Sequence, residues 1–174
     1  MNTVKYIIMH HSATKDDVTV NWDDITKYHT SWRYNGNIIT PFKAEELIKK
    51  GIKGVEAPWR DIGYHWGVEM VNNKIVVSQG RPETIAGAHT KQQNMNSQSL
   101  GICVIGNYDL VAPSDEIMFV LADLCTQKVI QYGLTIDRIK GHKDFANKTC
   151  PGKMFDLDRL RVLVRHEVSQ YEKN

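Results

Sequence analysis

Three cysteines, odd in number and widely spaced at Cys103, Cys125 and Cys150, do not make a disulfide framework. No run of about 18 apolar residues occurs, so nothing reads as a membrane span. The opening MNTVKYIIMHH holds one lysine and a very short apolar stretch before it turns polar, which is not the pattern of a secretory signal peptide. Synthesis in the cytoplasm is therefore the expectation, with any action outside it depending on release by another component. Charge of one sign is scarce as well. Lys and Arg number 22 against 20 Asp and Glu, a formal charge of +2, and no basic run accompanies them, so nucleic acid is not an expected partner. Internal repeats and low-complexity tracts are absent. What remains is 174 residues of ordinary globular composition, 41% hydrophobic and 24% charged. That length buries a sizeable core without staples, and it predicts one domain over 1–174, taken as a monomer.

Hydrophobic periodicity outlines the elements. Val4 to Met9 is a short β-branched run and reads as a buried strand ending at His10-His11. Residues from Trp22 to about Trp32 carry Trp22, Ile25 and His29 at helical spacing. From about 35 to 57 the chain is punctuated by Gly36, Gly51 and Gly54, and this stretch reads as an insertion. Thr40-Pro41 starts one short helix within it and Gly51 stops it. Tyr64–Val71 and Lys74–Gln79 flank Asn72-Asn73 as a hairpin. Ser99–Ile105 is a further buried strand. A helix from Pro113-Ser114 to Tyr132 has Met118, Leu121, Cys125, Val129 and Tyr132 on one face. A last helix, capped by Asp156, carries the stripe Leu157, Leu160, Val164, Val168, Tyr171. Strands alternating with helices predict an α/β fold, a mixed central sheet flanked by helices.

Seven histidines raise the question of a metal, and most histidines bind none. His166, between Arg165 and Glu167, reads as exposed and inert, and His29 as a partly buried structural residue. His10 stands at the end of a strand, the position from which open α/β sheets project side chains into a cleft. His142 and Cys150 bracket the polar loop KDFANKT. Together His10, His142 and Cys150 offer nitrogen and sulfur donors of the kind zinc takes, three in number, leaving one position open. Close-spaced metal motifs such as CxxC or HExxH are missing. On spacing alone, a core histidine and a buried cysteine remain the simpler reading.

Five blocks in fixed order, IIMHHSAT, DIGYHW, GAHT, SLGICVIGNYD and GHKDFANKTCPG, resemble the zinc N-acetylmuramoyl-L-alanine amidases shared by phage endolysins and peptidoglycan recognition proteins. The blocks extend from about Val4 to Asp158. The resemblance implies zinc as cofactor, peptidoglycan as substrate and hydrolysis of the amide between N-acetylmuramic acid and L-alanine. Matched position by position, it makes His10, His142 and Cys150 the zinc ligands. It makes Tyr64 of the G-Y-H block and Lys148, two residues before the cysteine, catalytic, and places His89 of GAHT against substrate. His11 and His65 then pack around the site, while Asn96 and Ser97 receive no role.

Two alternatives stay in view. A binding module of the same fold lacks a zinc ligand, commonly the cysteine, which this chain keeps. A cytoplasmic amidase that recycles anhydromuramoyl peptides resembles a sequence with Asp at the Cys150 position. The chain departs from compact members of the family in the 35–57 insertion and in the loop KQQNMNSQ after GAHT.

Overall fold

The computed structural model describes residues 3–14, 21–171 and 173. In chain order it forms β1 (Tyr6–His11), α1 (Trp22–His29), β2 (Arg33–Tyr34), β3 (Asn37–Ile38), α2 (Pro41–Lys49) and β4 (Val55–Glu56). These are followed by β5 (Trp66–Val71), β6 (Lys74–Gln79), β7 (Ser99–Val104), α3 (Asp115–Tyr132), β8 (Ile139–Gly141) and α4 (Leu157–Tyr171). A five-stranded sheet has the order β6-β5-β7-β1-β8. β1 lies parallel between β7 and β8, β5 is parallel to β7, and β6 closes the hairpin antiparallel to β5. The sheet is therefore mixed, as the alternation of elements predicts.

Helices cover both faces. Period-two alternation sends Ile7, Met9, Ile102 and Val104 to one side, where they pack with Leu121 and Cys125 of α3 and Leu160 and Val164 of α4. Cys103 faces the other way, with Trp22, Ile25 and Ile62. α1 lies close there because Gly67 has no side chain: a Cβ at that position would come within 2.3 Å of the Trp22 ring. Each helix begins on a side-chain cap. Asn21 forms a capping box with Asp24, Thr40 Oγ1 accepts from the Lys43 N–H, and Ser114 Oγ accepts from that of Ile117. Asp156 Oδ1 accepts from the Arg159 N–H and so starts α4.

The structure moves several boundaries. β1 runs on through His10 and His11, because their backbones pair in register with Cys103 and Val104. α1 stops at His29, and Arg33 is drawn into β2 instead of continuing the helix. The first hairpin strand starts at Trp66, leaving Tyr64 outside it. Tyr171, at the end of the predicted α4 stripe, is 65% exposed.

Between α1 and the hairpin, β3-β2-β4 make a small separate sheet, with Ala44 and Leu47 of α2 buried beside it. Arg33 fastens this unit to the body of the fold. Its buried guanidinium donates to the carbonyls of Tyr28 and His29 at the C-terminal end of α1 and pairs with Glu56 at 3.1 Å. It also lies 5.1 Å from the Tyr28 ring centroid and 4.8 Å from that of Trp59.

A second polar anchor joins the hairpin to α3. Glu83 accepts from Trp66 Nε1 and Tyr132 OH and pairs with Lys128 at 2.9 Å, with both charged side chains almost covered. Burial pushes the Glu83 carboxyl up, but the hydrogen bonds from Tyr132, Lys128 and Trp66 outweigh it and hold the group below the usual carboxylate range. Because its folded pKa is depressed, its stabilisation is present above the unfolded value and is lost as pH falls through the folded one. Glu83→Ala strands a buried ammonium. Thermal melts at neutral pH should show a loss of about 3 kcal/mol, and the gap to the native protein should narrow in acid.

Candidate metal and active site

The site forms where β1 and β8 end. His10 is the fifth residue of β1, on the same face as Cys103, and is buried. His142 is the first residue after β8 and opens a short 3-10 turn. The loop that follows returns on itself: the Lys143 N–H donates to the Cys150 carbonyl at 2.7 Å, and Asp144 caps the turn through the Gly141 N–H. That closure, not proximity in sequence, brings Cys150 to His142. One donor atom from each of His10, His142 and Cys150 lies within 4.8 Å of the other two. Nδ1 of His10 is 3.6 Å from the Cys150 sulfur, and the two imidazole centroids are 4.7 Å apart.

The electrostatics keep these imidazoles neutral. Burial holds His10 well below the usual histidine range, with His89 and His142 adding to the effect. Burial, then Lys148, lowers His142 to about 4. Burial pushes the Cys150 thiol up to about 11, against the opposing pull of the His11 backbone and Lys148. Two neutral imidazoles and a sulfur beside an open cleft suit zinc: ligand type and number match, and one side is left free for a fourth group.

A cleft of about 480 Å³ opens over this cluster, its walls including His29, Trp59, Tyr64, Asp109 and Lys148. A second cleft of about 340 Å³ continues it, sharing Trp59, Ala88, His89, His142 and Lys148. The Tyr64 ring centroid is 5.2 Å from that of His10, and burial raises the phenol well above its ordinary value, so it stays protonated. Lys148 stands on the shared wall of both clefts. The structure thus brings His10, His142, Cys150, Tyr64, Lys148 and His89 to one place.

The other histidines have partners of their own or lie away from the cluster, although His11 and His29 also line the larger cleft. His11 Nδ1 accepts from the Tyr108 N–H, and His29 Nδ1 from that of Gly63. His65 lies beneath the site, its Nδ1 accepting from the Gly101 N–H while Nε2 donates to the Ile85 carbonyl. His166 is exposed on α4.

Two residues here, Trp59 and Thr90, escaped the sequence reading, and a third, Asn96, received no role in it. Trp59 stacks on His29 at 4.5 Å between centroids and walls both clefts. No periodic pattern marks it, and the only signal is its place just before the DIGYH block. Thr90 is buried beside the histidines, its Oγ1 3.2 Å from His89 Nδ1. Asn96 organises the loop around both: its Oδ1 accepts from the backbone N–H of His89 at 2.8 Å and of Thr90 at 2.7 Å. Its own N–H donates to the Thr90 carbonyl, and its carbonyl accepts from the Gly87 N–H.

The chain belongs to the N-acetylmuramoyl-L-alanine amidase family, whose model matches residues 1–153. It is 31% identical over 104 residues to a human N-acetylmuramoyl-L-alanine amidase, an alignment that takes in 58% of this chain and 17% of the human protein. The chain thus spans less than a fifth of that relative. It is 25% identical over 157 residues to the Drosophila melanogaster peptidoglycan-recognition protein SC2, covering 87% of this chain and 70% of that one. Among solved structures, the amidase LysC from Clostridium intestinale shares the fold with a TM-score of 0.60 at 23% identity, covering 94% of this chain and 86% of its own.

Asn96→Ala removes the acceptor for two backbone donors at once. It should lower stability by about 2 kcal/mol in chemical denaturation, with Asn96→Asp recovering most of the loss because it keeps an oxygen in place.

Proposed function

We propose that this chain hydrolyses the amide between the lactyl group of N-acetylmuramic acid and L-alanine in peptidoglycan, with zinc held by His10, His142 and Cys150. The observation that carries the reading is the convergence of three donor atoms within 4.8 Å, from positions 132 residues and more apart from His10, at the floor of a cleft. Nothing in the fold requires a thiol and two neutral imidazoles to meet there. Membership of an amidase family and the name of the Clostridium structure support the same reaction.

Bound zinc supplies a Lewis acid and lowers the pKa of water toward neutrality. The chain's own groups do the rest. His10 and His142 stand ready as lone-pair donors, since burial keeps protons off them. Tyr64, held as a neutral phenol, donates a hydrogen bond toward the scissile carbonyl. Lys148 places an ammonium where the tetrahedral oxyanion develops, an interaction stronger in the transition state than in the ground state. The two connected clefts form an extended groove suited to a polymer strand, and His89 sits in the wall of both. In this reading the chain is one catalytic domain acting as a monomer, with 35–57 as an accessory to the groove. It works in the manner of an endolysin, reaching the cell wall after release from the cytoplasm.

Purified peptidoglycan should yield new L-alanine amino termini without new reducing sugars, an activity lost on chelation and restored by zinc. Tyr64→Phe and Lys148→Met should each lower kcat about 100- to 1,000-fold with zinc still bound. Cys150→Ser should lose both zinc and activity. Cleavage confined to soluble anhydromuramoyl peptides would reassign the substrate. Tight wall binding with no cleavage of either would make the chain a receptor.

A further inference from the structure

The ring of His89 is set in a slot cut for it. A Cβ on Gly101 would lie 2.5 Å from its Cγ and Cδ2, and one on Gly87 would lie 2.4 Å from Cδ2 and 2.8 Å from Nε2. Asn96 fixes its backbone from behind. The ring is buried, and among the described residues its polar contacts of hydrogen-bond geometry are at Nδ1, which lies 3.0 Å from His10 Nε2 and 3.2 Å from Thr90 Oγ1. Nε2 makes no such bond among the described residues. Thr90 Oγ1 lies 3.4 Å from His10 Nε2 as well, so His10 presents one nitrogen to a buried polar pair and the other, Nδ1, to Cys150.

The metal site proposed above constrains where the protons on these rings sit. For His10 to offer a lone pair at Nδ1, its proton must sit on Nε2. That proton needs an acceptor, and two polar atoms lie within reach, His89 Nδ1 at 3.0 Å and Thr90 Oγ1 at 3.4 Å. Nδ1 of His89 is the nearer acceptor, which leaves its own proton on Nε2. Thr90 then donates its hydroxyl to the same Nδ1 or accepts from His10.

We propose that His89 is a positioning residue for the metal ligand His10: it fixes the tautomer and ring orientation that aim Nδ1 at the cluster, and Gly87 and Gly101 are glycines because the ring needs their space. The inference rests on the metal site proposed above, and it gives His89 a role beyond substrate contact. A partner on the far nitrogen of a ligating imidazole commonly changes metal affinity about 10- to 100-fold when removed. Asn in place of His89 puts an amide oxygen where Nδ1 stands and preserves the acceptor, whereas Leu fills the slot without one.

The test is zinc affinity of the full-length chain by chelator competition, for the native protein, His89→Asn and His89→Leu, with circular dichroism confirming folding. His89→Leu should weaken zinc about 10- to 100-fold, and His89→Asn should stay within a few-fold of native. A folded His89→Leu that binds zinc as tightly as native, with only its KM for peptidoglycan raised, overturns the proposal and leaves His89 a substrate contact. If His89→Leu fails to fold, long-range nitrogen–proton NMR on the metal-free native protein decides. A His10 proton on Nε2 supports the relay, and one on Nδ1 overturns it. A native chain without zinc affinity would instead sink the metal site, and the NMR measurement would still judge the orientation of His10 separately.

Discussion

The site depends on burying imidazoles next to one another. At the end of β1, His10 is removed from water with His89, His142 and Tyr64 around it, and a charge on its ring would find no counter-ion among them. The rings must therefore be neutral, and a neutral imidazole has one donor and one acceptor that both need partners. Much of the surrounding structure follows from meeting that demand. Asn96 pins the His89 loop, Thr90 offers a hydroxyl between two rings, and the strand carrying Gly101 leaves space for a ring in place of a side chain. His65, one layer below, is satisfied by backbone groups alone.

The accessory sheet has a place in this arrangement. Arg33 belongs to β2, yet its guanidinium is shared among the end of α1, Glu56 of β4 and the ring of Trp59. Trp59 in turn stacks on His29 and walls the cleft. The groove wall and the small sheet are thus parts of one packed unit.

Much of this was legible in the chain itself. Caps at Thr40 and Asp156, the Asn72-Asn73 turn and the apolar runs of β1 and β7 are local signals, and local chemistry decides them. Boundaries drifted where tertiary pairing took over: β1 reached His11 because β7 offered partners, and α1 ended early because Arg33 had a buried destination. The two-residue strands of the small sheet are too short to carry a period, so nothing in their residues announces pairing. The site divides the same way. The donors His10, His142 and Cys150 are chemically conspicuous, but their meeting depends on strand order and on the closure of the 142–150 loop, neither of which spacing reveals. Asn96 and Trp59 look like any loop asparagine or surface tryptophan until the groups they touch are in view.

Strand order also bears on when the site comes into being. β1 is made first, yet both strands that flank it, β7 and β8, are encoded far downstream, and Cys150 lies beyond them. Non-local pairing of this kind cannot form until the later partners exist. During synthesis, then, His10 must leave the ribosome long before the residues that will bury it, and no donor cluster can assemble on a partial chain ending short of residue 150. Translation itself acts as a timer: the constellation appears only once residue 150 has been made, and all at once.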